Sequence, residues 1–310
     1  MVDILLATYN GAEYLCEQID SILSQSFTDW RLIVSDDGST DDTLRILNDY
    51  INKYPTKIRL VNEGEKVKSA KINFWSLLKY SDSEYIMFCD QDDVWLKHKI
   101  ANTLETMKNA ESKFGNIPML VHTDLKVINQ EGQLINNSLY HMQLVDPHGF
   151  NNFKQLLTQN AVTGCTIMIN NFLKDLLIPI DGNVIMHDWW IALHAAYYGQ
   201  IIYLEEADIL YRQHQSNSVG AKSVDSMRYL VKKIINYDEL HSNISATYKQ
   251  AESFFKGISN RELVNESSCS LVKKYSVLNE KPKLIRVFYI VRYGFWKQKL
   301  RRKIGQFLFC

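Results

Sequence analysis

Cysteine is scarce in this 310-residue chain and comes in an odd number: Cys16, Cys89, Cys165, Cys269 and Cys310, none spaced as Cys-x-x-Cys. That argues against a disulfide framework and a structural zinc site, and points to a reducing compartment. Five prolines and 13 glycines are too few for a collagen-like or low-complexity chain. No apolar run approaches the roughly 18 to 20 residues of a membrane-spanning helix. The opening MVDILLATYN lacks a basic stretch followed by an apolar one, so no secretory signal is expected. A G-x-G-x-x-G does not follow the first apolar run, and G-x-x-x-x-G-K-[ST] occurs nowhere. These absences speak against a dinucleotide dehydrogenase and a P-loop kinase or ATPase. What remains is a globular chain, 46% hydrophobic and 23% charged, with enough residues for one large α/β domain and an appendage.

The formal net charge is zero but unevenly placed. Residues 281–310 hold nine basic side chains (Lys281, Lys283, Arg286, Arg292, Lys297, Lys299, Arg301, Arg302, Lys303) and no acidic one, which leaves −9 on residues 1–280. Aromatic and aliphatic residues are interleaved with these bases. Such a stretch suits an anionic membrane surface, each base adding about 1 kcal/mol. Nucleic acid is not an expected partner, because the acidic remainder repels phosphate backbones.

Along the first half, short apolar runs alternate with helical spacing. Ile4–Ala7, Arg31–Ser35, Lys57–Val61 and Tyr85–Cys89 read as strands. Helical spacing follows Tyr14, begins near Thr40, and runs over Ala70–Tyr80. This order predicts βαβ units and a mostly parallel sheet, whose ligands bind beyond the carboxyl ends of its strands. Two of those exits are acidic: Asp36-Asp37 and Asp90-Gln91-Asp92-Asp93. Without a glycine-rich cradle, a diphosphate must be neutralised another way. A divalent cation, Mn²⁺ or Mg²⁺, held by Asp-x-Asp does so with hard oxygen ligands. In extended chain the carboxylates of Asp90 and Asp92 face the same way.

The ordered segments Leu6-Ala7-Thr8-Tyr9-Asn10, Gln18–Ser26, Val34-Ser35-Asp36-Asp37-Gly38-Ser39-Thr40-Asp41 and Asp90-Gln91-Asp92-Asp93-Val94-Trp95 resemble the family-2 inverting glycosyltransferases of GT-A fold. The resemblance continues through Thr163-Gly164-Cys165, His187-Asp188-Trp189-Trp190 and Tyr211-Arg212-Gln213-His214. It implies a Rossmann-like nucleotide-diphospho-sugar transferase over residues 1–218, followed by a helical region over 219–310. The DQDDVW and HDWW segments look most like bacterial rhamnosyltransferases of rhamnan or capsular polysaccharide synthesis.

The resemblance also implies roles. Thr8, Tyr9 and Glu13 line the base pocket of a dTDP or UDP donor, with Tyr9 stacking on the pyrimidine, while Asp37 accepts its N3–H. Asn62-x-Gly64 and Ala70-Lys71-Ile72-Asn73 match a second donor segment, with Lys71 where the family carries arginine. Asp92 is the first metal ligand, Asp90 binds the ribose or shares the ion, and His214 supplies a third ligand. Asp93 is expected to cap a helix beginning at Trp95, and Arg212 to pair with the diphosphate. Asp188 matches the base position: inversion needs a carboxylate to take the acceptor's proton and an electrophile to stabilise the leaving group. Trp189 and Trp190 wall the sugar site, and Gly164, ahead of a strand over Cys165–Ile169, lets sugar approach the backbone.

From about residue 222 the spacing is helical (Met227, Leu230, Val231, Ile234; then Tyr248, Ala251, Phe254; then Leu271, Val272, Tyr275). This region is expected to pack on the core, is a candidate for pairing two chains, and ends at the membrane, where the acceptor is a polysaccharide or lipid-linked. The chain then sits in the cytoplasm, at the inner face of the plasma membrane. Three alternatives stay open: a UDP-hexose or UDP-N-acetylhexosamine transferase acting on capsule or teichoic acid, a silent sugar-nucleotide-binding subunit, and a nucleotidyltransferase. The last wants a glycine-rich basic loop that Leu6–Gly11 does not provide.

Overall fold

Four strands make one side of a seven-stranded sheet in the computed structural model, which describes residues 1–63, 69–214, 237–261 and 265–310. They are β1 (Val2–Thr8), β2 (Trp30–Asp36), β3 (Ile58–Glu63) and β4 (Tyr85–Cys89). Asn62 lies near the end of β3, while Gly64 of the expected Asn62-x-Gly64 segment lies outside the described residues. Three further strands complete the sheet: β6 (Met119–Thr123), β9 (Met168–Asn170) and β10 (Gln200–Leu204), in the order β10-β6-β9-β4-β1-β2-β3. Every pair is parallel except those of β9, which runs antiparallel to β4 and β6. Ile4, Leu5 and Leu6 are wholly buried, as expected of parallel strands covered on both faces. The strand expected at Cys165–Ile169 starts later: Gly164–Thr166 is a turn of 3₁₀ helix, and pairing with β4 and β6 begins only at Met168.

The covering helices include α1 (Leu15–Leu23), α2 (Thr43–Lys53), α3 (Ala70–Leu77) and α4 (Lys99–Phe114). A second sheet has the order β5-β11-β7-β8, from β5 (Val94–Trp95), β7 (Lys126–Ile128), β8 (Leu134–Asn136) and β11 (Ile209–Arg212).

One polar residue interrupts β1. Asp3 has no solvent exposure, and its register partner Arg31 binds it bidentately, at 2.8 and 3.0 Å. Ser81 Oγ and the backbone N–H groups of Asp82 and Ser83 donate to the same carboxylate. Burial alone would raise the Asp3 pKa, but the bonds from Arg31, Ser81 and Ser83 outweigh it and hold the carboxyl below its usual range.

The chain divides into two interleaved units rather than at residue 218. The first holds Met1–Leu139, Val162–Leu176 and, of the described residues, 200–214; the second holds Tyr140–Ala161, Leu177–Gly199 and residues 237–261 and 265–310. The boundary is therefore corrected: two segments upstream of 218 belong with the C-terminal helices. Met227, Leu230, Val231 and Ile234, expected to be helical, lie outside the described residues.

The second unit is helical, with α6 (Phe153–Thr158), α8 (His187–Tyr198), α9 (Tyr237–Ser259), α10 (Glu266–Ser276), α11 (Lys283–Tyr293) and α12 (Leu300–Phe309). Its core is aromatic. Trp190 meets Phe254 edge to face at 5.4 Å, and Tyr275 bridges Tyr248 and Phe295 at 5.0 and 4.9 Å. His194 is built into this core: its Nδ1–H donates to Trp190 O at 2.7 Å, and its Nε2 accepts the Ile178 N–H at 3.1 Å. Protonating Nε2 would remove that acceptor.

Burial pushes the pKa values of His187 and His194 down to about 3. Both imidazoles are then neutral in the folded protein while the unfolded chain takes up protons below pH 6.5. Their contribution to stability is present above that pH and is lost as pH falls toward 3, at roughly 2 kcal/mol each by pH 5. Thermal unfolding is expected to start several degrees lower at pH 5.0 than at pH 7.5, and His194→Asn to flatten part of that slope. An unchanged melting temperature would contradict the assignment.

Candidate active site

The sheet order places β1 between β2 and β4, so the strands diverge to either side beyond the carboxyl ends of β1 and β4. Such a switch point is where an open α/β sheet takes its ligand. Tyr9 leaves β1 with 56% of its surface exposed, which frees its ring to stack. The two exits are clamped together: the Tyr9 N–H donates to Gln91 Oε1 at 2.8 Å, and Gln91 Nε2 donates to Tyr9 O at 3.0 Å. The chain then turns at Asn10, whose φ of 45° asparagine tolerates and whose Oδ1 accepts the Thr40 N–H. At Gly11 a Cβ would sit 2.3 Å from Gln91 Oε1, so any side chain here would push the Gln91 amide aside.

The acidic pair after β2 divides its labour. Asp36 is wholly buried and accepts from Gly38 N, Ser39 N, Ser39 Oγ and Thr8 Oγ1, all within 3.0 Å. It builds the turn. The Thr8 hydroxyl donates its proton into that turn. Asp37 receives the Ser69 N–H at 3.0 Å, which ties the exit of β2 to the start of α3. Lys71, in the first turn of α3, is half-buried on that side. Glu13 is exposed and accepts from Gln130 Nε2 at 3.2 Å.

A non-local ladder assembles the metal ligands expected from sequence. β5 continues directly from Asp93 and pairs antiparallel with β11, Val94 opposite Leu210. This brings His214 to Asp92: Nε2–H donates to Asp92 Oδ2 at 2.8 Å, with 11% and 14% of the two side chains exposed. Asp90, Asp93 and Cys165 form an adjoining group whose potential ligand atoms lie within 4.8 Å of one another. Hard carboxylate oxygens with one imidazole nitrogen fit a divalent cation such as Mn²⁺ or Mg²⁺.

Two expectations are corrected here. Asp93 does not cap a helix at Trp95, because residues 94–95 pair as a strand and the next helix begins at Lys99. Its buried carboxylate instead accepts the Arg212 N–H at 3.2 Å. Burial first, then the charges of Asp92 and Asp90, push its pKa well up. Arg212 is 3% exposed rather than open to a diphosphate. Its Nε donates to Asp92 O, Nη1 to Gln130 O and Nη2 to Glu17 at 2.5 Å, and its guanidinium lies 4.9 Å from the Tyr14 ring centre. Tyr14 in turn packs against the His214 ring at 5.0 Å. Arg212 therefore positions the Asp92 loop and the ring packed against His214.

Gln91, Glu17 and Tyr14 were not foreseen from sequence in these roles. Only Gln91 carried a signal, its place inside the acidic triplet. Lys99 was also missed; it is wholly buried, donates to Thr166 O at 3.1 Å, and burial lowers its pKa to about 8.

In the second unit, Asp188 lies in the first turn of α8, where the helix dipole favours a carboxylate, and its Oδ1 accepts the Trp189 N–H at 2.5 Å. The Trp189 indole donates to Leu156 O at 2.6 Å, which fixes its half-buried ring. Trp190, expected beside it in a sugar wall, is wholly buried and donates to Ile178 O. It is corrected to a core residue. Gly164 is buried in its 3₁₀ turn in the first unit.

The Gly11–Gln91 contact makes a prediction. Gly11→Ala displaces the Gln91 amide and breaks both bonds to Tyr9, so it and Gln91→Ala are expected to lower nucleotide affinity by a similar factor, about tenfold. The double variant is expected to lose no more than either alone. Fully additive losses in a calorimetric cycle would show that the clamp is not the shared cause.

The chain matches the family model described as "Glycosyl transferase family 2" over residues 3–176, more than half of its length. It is 30% identical over 240 residues to the dTDP-rhamnosyl transferase RfbG of Shigella flexneri, covering 72% of this chain and 76% of that protein. It is 28% identical over 175 residues to the putative teichuronic acid biosynthesis glycosyltransferase TuaG of Bacillus subtilis, covering 55% of this chain and 62% of that one, just under two thirds of the relative. Among solved structures it resembles residues 1–349 of S. aureus TarS, with a TM-score of 0.55 and 17% identity over 98% of this chain and 77% of that one. It also resembles the Pyrobaculum calidifontis mannosyltransferase PcManGT, solved with GDP-Man and Mn²⁺ (TM-score 0.55, 13% identity, 94% and 72% covered). These likenesses show the GT-A fold, and with the family match they establish that the chain is a glycosyltransferase belonging to glycosyl transferase family 2.

Proposed function

We propose that the chain transfers L-rhamnose from dTDP-β-L-rhamnose, with inversion, to a hydroxyl of a growing lipid-linked bacterial surface polysaccharide at the inner face of the plasma membrane. The observation that carries the donor is the 240-residue similarity to a dTDP-rhamnosyl transferase, which runs through most of both chains.

In this reading the Tyr9 ring stacks on the thymine, and Asp37 accepts its N3–H. Lys71 offers a point charge to the donor on the same side. Asp92 and His214, with Asp90, would hold a divalent cation, which supplies charge neutralisation for the departing diphosphate. Arg212 and Glu17 keep Asp92 and His214 in register. Asp188 takes the proton from the acceptor hydroxyl as its oxygen forms the new bond to the anomeric carbon and the bond to the diphosphate oxygen breaks. The dipole of α8 favours the ionised form that this role needs. Trp189, fixed by Leu156, offers a flat face to the C–H surface of the sugar, and Gly164 leaves room for the sugar beside the backbone.

A second reading, a UDP-N-acetylhexosamine donor, is favoured by the resemblance to TarS, which has been solved with UDP-GlcNAc (TM-score 0.53, 15% identity).

Asp188→Asn is expected to lower transfer by at least about a thousandfold with dTDP binding within roughly twofold of the parent. Equal loss of both would remove Asp188 from the base role. With Mn²⁺ present and a lipid-linked acceptor, nucleoside diphosphate release from dTDP-rhamnose is expected to exceed that from UDP-glucose, UDP-galactose or UDP-GlcNAc. Preference for a UDP donor would overturn the rhamnosyl reading while leaving the family intact.

A further inference from the structure

The last two helices expose apolar surface as no other part of the described chain does. Of fifteen exposed large apolar side chains, eight lie between Leu284 and Leu308. On α11, Leu284, Phe288 and Val291 repeat at i, i+4 and i+7; on α12, Leu300, Ile304 and Phe307 do the same. Each triplet is one stripe along a helix. The opposite sides are buried through Ile290 on α11 and Gln306 and Phe309 on α12. Leu284 is 84% exposed and Leu300 72%, more than the other residues of either stripe.

These stripes are held open by polar bonds within the second unit. Lys283 Nζ donates to Leu308 O at 2.7 Å and joins the two helices. Gln298 and the Asp146 backbone exchange two bonds of 2.7 Å, and Arg302 donates to Gln143 O at 2.7 Å. Gln306 Nε2 donates to Phe295 O at 2.7 Å. The helices are thus tied to their scaffold by their inner residues, leaving the stripes outward.

Charge selects the occupant. Residues 281–310 carry nine bases and no acid. At 100° per residue, Arg301 and Lys303 flank the α12 stripe and Arg292 borders that of α11; all three are exposed. Lys297, Lys299 and Lys303 also line a cavity of about 290 Å³, which offers room for a phosphate headgroup. A second copy on the same face would set Arg292, Arg301 and Lys303 against the same three bases. No described helix is long and apolar enough to cross a membrane. Short apolar stripes rimmed by bases suit a helix lying in the plane of an interface.

We propose that α11 and α12 form a docking surface for the anionic face of a phospholipid bilayer, with Leu284, Phe288, Val291, Leu300, Ile304 and Phe307 entering the acyl boundary and Arg292, Arg301 and Lys303 meeting headgroup phosphates. This rests on the reading of a lipid-linked acceptor and names the surface that brings the enzyme to it.

The test is co-sedimentation of the full chain with vesicles of phosphatidylcholine alone or mixed with phosphatidylglycerol. Binding is expected to require the anionic lipid and to weaken with salt. The triple variant Arg292→Gln, Arg301→Gln, Lys303→Gln is expected to reduce partitioning roughly a hundredfold. The pair Leu284→Ser and Phe288→Ser, at exposed positions, is expected to reduce it at least about tenfold. Calorimetric dTDP binding is expected to remain within about twofold in both variants, since neither touches the first unit. Parental partitioning of both variants, or no preference for anionic vesicles, would overturn the proposal. So would a parent that sediments as a dimer while the serine pair is monomeric, because a second copy would then cover the stripes. Failed vesicle binding with dTDP binding intact refutes the docking surface alone. Vesicle binding without dTDP binding refutes the donor reading and leaves the surface standing.

Discussion

The short antiparallel ladder between β5 and β11 carries more of this site than any catalytic side chain. Two residues of one strand meet two of the other, yet that pairing joins Asp92 to His214 across 122 positions of sequence. The Arg212 guanidinium secures the joint from below, reaching Asp92 O, Gln130 O and Glu17 at once. Loss of such a node leaves several buried groups unsatisfied together, which is why its contribution exceeds that of any one bond. The clamp of Gln91 on Tyr9 does the same between β1 and β4. The Tyr9 exit of β1 and the Asp92–His214 pair therefore meet in one acidic loop, residues 90–93.

That loop concentrates negative charge beneath a sheet of apolar strands. Its cost is visible in the groups around it: burial first, then the charges of Asp90 and Asp93, raises the pKa values of Cys89, Cys165 and Tyr211. A divalent cation held there would relieve this repulsion, and the carboxylates are held close by backbone and arginine rather than by each other. At the other end of β1, Asp3 solves the opposite problem, a single buried carboxylate met by a bidentate arginine. The two ends of β1 and β4 thus differ: one pairs its buried carboxylate with an arginine, the other gathers several carboxylates in one loop.

Much of the first unit was legible in the sequence, because its strands are apolar runs bounded by polar turns and its helices follow at regular spacing. Asp36 and Asp37 could be placed at a strand exit, and Asp92 with His214 could be paired through family resemblance. What escaped was non-local. Val94-Trp95 looks like the start of a helix until β11, more than a hundred residues on, supplies a strand partner. Arg212 looks like a surface cation until Glu17 and the backbone of Asp92 take its donors. The interleaving of the two units depends on Trp190, His194 and Phe254 packing together, and aromatic packing leaves no local period to read. Trp190 was accordingly read as a sugar wall when it is core.

In the proposed mechanism Asp92 and His214 hold one metal ion together. Pulsed electron paramagnetic resonance of Mn²⁺ bound with dTDP tests it most directly, since an imidazole ligand imprints ¹⁴N modulation on the manganese signal. The account predicts that modulation in the parent protein and its disappearance in His214→Ala, with Asp92→Asn weakening Mn²⁺ binding itself by about a hundredfold. Mn²⁺ bound without nitrogen modulation, or modulation that survives His214→Ala, would contradict it.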